Sequence, residues 1–130
     1  MSYTIEVDDF FKVIRYTHTG LIERIELHEV WEKLLQLQEF ISGGYGLLSD
    51  YRGSVFNFKL EETGIIDEFL NSLEHILRGK KQSVIVDNPH ATVISMIFQN
   101  KLFDTIGFRV KVFSTEKAAI SWLISPLLLI

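Results

Sequence analysis

No cysteine occurs anywhere in the 130 residues, which removes disulfides, zinc–thiolate centres and thiol nucleophiles from consideration together. Proline is nearly as scarce, with two occurrences, so Pro89 and Pro126 serve as boundary markers rather than interior breaks. There is no basic excess. Thirteen Lys and Arg face seventeen Asp and Glu, for a formal net charge of −4 and a pI near 5.5, so no nucleic-acid partner is expected. The densest basic run, Arg78-Gly-Lys-Lys81, falls at a predicted helix C-terminus, where the helix dipole favours cations. Long apolar runs are also missing. The stretch around Trp122 to Ile130 is the longest, far short of the roughly 20 residues of a membrane span. Met1-Ser-Tyr-Thr-Ile-Glu6 has neither the basic nor the apolar region of a signal peptide. The expectation is a soluble cytoplasmic domain, which suits a chain without cysteine.

Signatures of catalysis are absent as well. The sequence holds no Gly-x-Ser-x-Gly elbow, phosphate loop or dinucleotide fingerprint. Gly43-Gly44-Tyr45-Gly46 follows a helix instead of joining a strand to one, and reads as a turn. The histidines at 18, 28, 75 and 90 have no metal-binding spacing. His28 and His75 fall on polar helix faces, and His90 lies in a first helical turn, exposed. No enzyme activity, cofactor or metal is expected.

What is present is clearest from Gln82 to Leu123. Gln82-Ser-Val-Ile-Val86 is a short β-branched run, and Asp87-Asn88-Pro89 supplies an N-cap and a proline at the first helical position. Val93, Ile94, Ile97, Phe98 and Leu102 follow at helical spacing until Gly107. Phe108-Arg-Val-Lys-Val-Phe113 alternates like a strand, and Ser114 caps a last helix carrying Ala118, Ala119, Trp122 and Leu123. Two strands joined by a helix lie parallel with a right-handed crossover.

Upstream, Tyr3–Val7 and Phe11–Thr19 alternate around the turn-forming Asp8-Asp9-Phe10, which predicts an antiparallel hairpin. Thr19-Gly20 breaks the pattern. A helical period runs from about Ile22 to Ile41, with Leu27, Val30, Trp31, Leu34, Gln38 and Ile41 on one face. Leu47–Tyr51 is a short strand. Gly53–Leu60 has no clear period and reads as a partly extended connection. Glu61-Glu62-Thr63-Gly64 opens a helix whose face holds Ile65, Ile66, Phe69, Leu70, Leu73, Ile76 and Leu77, closed by Gly79. The resulting order, β-β-α-β-α-β-α-β-α, is α/β: one mixed, mostly parallel sheet with an N-terminal antiparallel hairpin, in a single domain over 1–130. Its core spans about 3–124, followed by an apolar tail at 125–130.

Leu47-Leu-Ser-Asp-Tyr-Arg-Gly53, Ser83-Val-Ile-Val-Asp87 and the stretch from Phe108 to Leu123 stand in this order after a starting hairpin. In that arrangement the chain resembles the STAS domain, the fold of the anti-sigma-factor antagonists of sporulation, and is closest to its SpoIIAA-like branch. That branch shares an architecture with small lipid-binding domains of the CRAL-TRIO type. The resemblance implies a non-catalytic regulatory or protein-interaction domain, or alternatively a small apolar-ligand or lipid binder. In the antagonists, a Ser or Thr at the start of the helix after the third strand is phosphorylated, within Asp-Ser-Ser/Thr-Gly. Here the matching string is Glu61-Glu62-Thr63-Gly64, which makes Thr63 the candidate phosphoacceptor. It departs from the pattern by two glutamates that would repel a phosphate, and Thr at a helix start is also an ordinary cap.

Three other sites are candidates. Asp50, at a strand end, resembles a receiver phosphoacceptor, with Asp8-Asp9 as the acidic pair. The last strand, however, is followed by Ser114 where a receiver has lysine, and pairing with Arg52 is the simpler role for Asp50. Asn88 and Ser114, with Asp50, mark the C-terminal sheet edge where ligands bind in open α/β folds. An apolar ligand would occupy a cavity among Phe56, Phe58, Phe69, Phe98 and Phe103, residues that equally make an ordinary core. Finally, Leu127, Leu128, Leu129 and Ile130 follow Pro126 without a charge. They are expected to pack on their own domain or on a second copy in a homodimer.

Overall fold

The computed structural model describes residues 2–125. Its centre is a five-stranded sheet in the order β1-β2-β4-β6-β7, with a separate two-stranded ladder of β3 and β5. β1 (Tyr3–Asp8) pairs antiparallel with β2 (Val13–His18), and β2, β4 (Gly46–Asp50), β6 (Lys81–Ile85) and β7 (Arg109–Phe113) are parallel. The expected hairpin and parallel sheet are both there.

After β2, each new strand is added on the same side of the last. Crossovers of one hand then put every connecting helix on the same face. That face is packed by α1 (Arg24–Leu34) and α2 (Gln38–Ile41), by α3 (Gly64–Asn71) and α4 (Glu74–Leu77), and by α5 (Pro89–Ile106). Strand alternation supplies the matching residues: Ile14 and Tyr16 on β2, Leu47 on β4, Val84 on β6 and Val110 on β7 all enter this core. Among the described residues only α6 (Glu116–Ile124), which comes after the last strand, covers the opposite face. There Ala119 and Ile120 pack on Val13, Leu48 and Ile85. Ser83, fully buried beneath it, donates Oγ–H to the Ala119 carbonyl at 2.8 Å.

Local signals explain the boundaries of α5. Asn88 Oδ1 accepts from the Ala91 amide at 2.9 Å, Pro89 begins the first turn, and Gly107 ends the helix at φ 70°. A left-handed residue of this kind is the usual helix stop. Four expectations need correction. The N-cap of α6 is Thr115, whose Oγ1 accepts from the Ala118 amide, and not Ser114. The helix expected over 22–41 is broken at 35–37, where tightened turns run from Gln36 to Lys33 and from Leu37 to Leu34. The break turns Gln38 outward and lets Phe40 into the core against Trp31. The helix after Thr63 is likewise interrupted at Ser72-Leu73, where Ser72 Oγ–H bonds back to the Phe69 carbonyl; such local bonds compete with helix continuation. Finally, Gly53–Leu60 contains β5 (Ser54–Phe56), which pairs in parallel with β3 (Gly20–Ile22). Three-residue strands leave too little periodicity to read.

Candidate functional site

The strand ends bring Asp50, Asn88 and Ser114 to one edge, because Asp50 pairs with Ile85 and Ile85 with Phe113. The polar groups of Asp50 and Asn88 are used within the fold. Arg52 grips Asp50 through Nε to Oδ1 at 2.9 Å and Nη2 to Oδ2 at 2.6 Å. Burial alone would raise the Asp50 carboxyl, but the Arg52 hydrogen bonds and charge outweigh it and hold the carboxyl below its ordinary value. Asn88 caps α5 and also donates Nδ2–H to the Ser54 carbonyl at 3.0 Å, while Asp87 accepts from the Gly53 amide. Ser114 lies beside a shallow groove between β7 and α5. The parallel strands never reverse direction of addition, so the edge has no switch point where a ligand crevice would open.

Asp8 and Asp9 lie at the other end of the sheet. Val13, the partner of Asp8, pairs with Gly46 at the start of β4, whereas Asp50 ends that strand. Four residues of strand separate them, roughly 13 Å. The receiver arrangement of three carboxylates around one cation does not form. Asp8 instead binds Arg15 at 2.8 Å, and Tyr45 donates its hydroxyl to Asp9. Among the described residues no three His, Asp or Glu side chains converge as a metal site.

Thr63 is 4% exposed. It follows a 3-10 turn (Leu60–Glu62) and sits at the start of α3, but its hydroxyl donates to the Leu60 carbonyl at 2.7 Å instead of capping an amide. His90 is exposed and its Nε2 lies 3.0 Å from the Phe58 carbonyl. His75 is also exposed, while His28 lies against the Phe69 ring at 4.4 Å and beside Glu32. His18, which sequence reasoning left without a role, is fully buried among Tyr3, Tyr16 and Glu26.

The helical face has a gap between α1 and α3. A groove of about 260 Å³ runs there, lined by Arg24, Ile25, His28, Ile65 and Phe69. Ile25 and Ile65 are 63% and 57% exposed, an uncommon placement for two large apolar side chains on facing helices. Adjoining the groove is a partly open cavity of about 60 Å³ bounded by Phe56, Phe58, Phe98, Leu102 and Val110. Groove and cavity share Leu27, Trp31 and Ile66 as their common wall. Of the five phenylalanines expected around a cavity, Phe56, Phe58 and Phe98 line it and Phe69 lines the groove. Phe103 does not; it is exposed, under the Arg109 guanidinium. α3 is held to α5 by Lys101–Asp67 and by Thr105 Oγ1–H to Asn71, both at 3.0 Å. α1 is anchored at its start by Glu26, which accepts from the Glu23 amide, and by Asn57 donating to Glu23.

Comparison with known proteins identifies the fold. A solved structure of an uncharacterized DUF3478-family protein with a SpoIIAA-like fold, from Shewanella loihica PV-4, superposes with a TM-score of 0.55. The match covers 93% of this chain and 91% of that one at 15% sequence identity. No family model matches the sequence, and no curated protein matches it either. The chain has the STAS/SpoIIAA-like fold. Among the described residues no helix is long and apolar enough to cross a membrane.

Proposed function

We propose, from the SpoIIAA-like fold and the cleft within it, that this single domain is a non-catalytic binding module for a small apolar ligand. The observation that carries the reading is the adjoining apolar groove and cavity, which share Leu27, Trp31 and Ile66, with exposed Ile25 and Ile65 on the α1 and α3 sides of the groove. Apolar pockets with a few polar groups are the usual form of a small-molecule site. Apolar surface at such a site contributes about 25 cal/mol per Å² when a ligand covers it. Trp31, in the shared wall, places a fluorophore beside the ligand.

Native mass spectrometry of the protein as purified tests this. The expected result is a reproducible added mass that is lost on denaturation and is reduced in Ile25→Lys and Ile65→Lys, whose side chains are exposed and not needed for the core. A bare-chain mass, together with no shift of Trp31 emission on titration with toluene, counts against the reading.

A regulatory protein partner is the second reading. It is favoured by Leu21 and Val55, which pair across the β3–β5 ladder and are both more than half exposed. For Thr63 to act as its phosphoacceptor, the 60–63 turn has to open, because the hydroxyl is buried and bonded. The homodimer expected through Leu127, Leu128, Leu129 and Ile130 concerns residues outside those described.

A further inference from the structure

Among the described residues no Asp or Glu lines the groove between α1 and α3 or the cavity beside it, and Arg24 is the one Lys or Arg that does. Arg24, His28 and Trp31 follow one another along the groove side of α1, at helical-turn spacing. Ile65 and Phe69 line the α3 side. Arg24 is half-buried and makes no ion pair among the described residues. The acidic side chains next to it in sequence are committed elsewhere. Glu23 accepts from Asn57 at 2.7 Å, and Glu26 accepts from the Glu23 amide at 2.9 Å. His28, one turn on, lies 3.1 Å from Glu32. As the first residue of α1, Arg24 also stands where the helix dipole disfavours a cation, so its charge does not serve the helix. An unpaired guanidinium in the wall of an apolar groove offers a counter-charge to whatever fills that groove.

We infer that Arg24 is the head-group anchor of this site, and that the ligand is an elongated apolar molecule ending in one carboxylate, an aliphatic monocarboxylate. The inference rests on the ligand-binding reading and adds to it the chemistry of the ligand. A guanidinium matches a carboxylate through two parallel N–H···O bonds, a match that a single hydroxyl does not offer. An ammonium would meet the like charge of Arg24 and find no carboxylate in the wall. Because Arg24 is partly open to water, the bound carboxylate keeps part of its hydration and avoids the cost of burying a bare ion. The apolar body then lies along Ile25, Ile65 and Phe69, covering apolar surface that otherwise faces water. Length fits the same class. Arg24 and Trp31 are separated by seven residues of helix, roughly 10 Å, a span that a chain of medium length covers.

The test compares octanoate, 1-octanol, octylammonium and toluene by NMR titration of the wild-type chain, followed by Arg24→Gln and Arg24→Glu. Octanoate is expected to bind about fivefold more tightly than 1-octanol, the scale of one partly exposed ion pair, and octylammonium more weakly than either. Added salt should narrow the preference. In Arg24→Gln octanoate is expected to fall to the level of 1-octanol, and in Arg24→Glu the order of octanoate and octylammonium is expected to reverse. Toluene binding by each variant shows that its groove is intact. If 1-octanol binds the wild type as tightly as octanoate, or if the preference for octanoate survives either substitution, the anchor is overturned and the ligand-binding reading stands. Failure of every probe on the wild type, toluene included, removes both the anchor and the reading beneath it.

Discussion

Nε2 of His18 lies 3.5 Å from Oε2 of Glu26, beyond good hydrogen-bonding distance, and is buried without a partner. The other ring nitrogen, Nδ1, is 2.5 Å from the Tyr16 hydroxyl. Because Nε2 faces a carboxylate, we assign the Nε2–H tautomer, with Tyr16 O–H donating to Nδ1. His18 thus joins the second strand to α1, one wall of the cleft. Burial pushes its pKa below the ordinary imidazole value, against the opposing pull of Glu26. Burial likewise raises the Tyr16 hydroxyl, and it pushes nearby Tyr51 up to about 12; both are neutral at physiological pH.

A histidine held neutral in the fold takes up a proton more readily when unfolded, so stability rises with pH across this window. It is fully present above about pH 6.5 and lost as the pH falls toward the lowered folded value. Chemical denaturation between pH 7.5 and 5 is expected to show this decline. In His18→Gln, which keeps an acceptor for Tyr16 but does not titrate, the curve should be nearly flat. An unchanged slope in that variant would assign the effect to other groups.

Asn88 performs two tasks, capping α5 and holding the Ser54 carbonyl. Asn88→Ala loses both and should cost about 2 kcal/mol, whereas Asn88→Asp keeps the cap acceptor and should cost about half as much. Urea denaturation of the two variants measures the difference. Equal losses would mean that the Ser54 contact contributes nothing.

The Asp50–Arg52 pair is half open to water, with the Arg52 side chain 44% exposed. Such pairs contribute little, and Asp50→Asn is expected to change stability by less than about 1 kcal/mol. With Asp8 and Asp9 at the other end of the sheet, Asp50 should not be modified by acetyl phosphate and Mg²⁺. An intact-mass gain of one phosphoryl group, abolished by Asp50→Asn, would contradict this.

Thr63 donates to Leu60 in a closed turn. Thr63→Val should cost about 1 kcal/mol for the lost hydrogen bond. Thr63→Glu, which drives a charge into the same buried place, should cost at least about 2 kcal/mol. Thermal melts of both variants check the order. If Thr63→Glu melts with the wild type, the turn already opens in solution, and the phosphoacceptor role becomes physically accessible.

The elements whose signals lie within one helical turn or one strand were legible without a structure. Asn88-Pro89 and Gly107 bound α5 because an N-cap and a left-handed stop act on the residues beside them. The alternation in Tyr3–Val7 announces its own buried face. The pairing of Asp50 with Arg52 is local in the same sense. Folding alone could settle relations between distant segments, since contact between them depends on the sum of the packing and not on any one stretch. It paired β3 with β5 although neither has length enough for a period, and it broke the first helix so that Phe40 could reach Trp31. It turned the Thr63 hydroxyl inward, and it left Phe103 in water while Phe56, Phe58 and Phe98 enclosed a cavity. Gln82 and Ser95, thirteen positions apart on a strand and a helix, come to line the same cavity, a meeting that no spacing rule encodes.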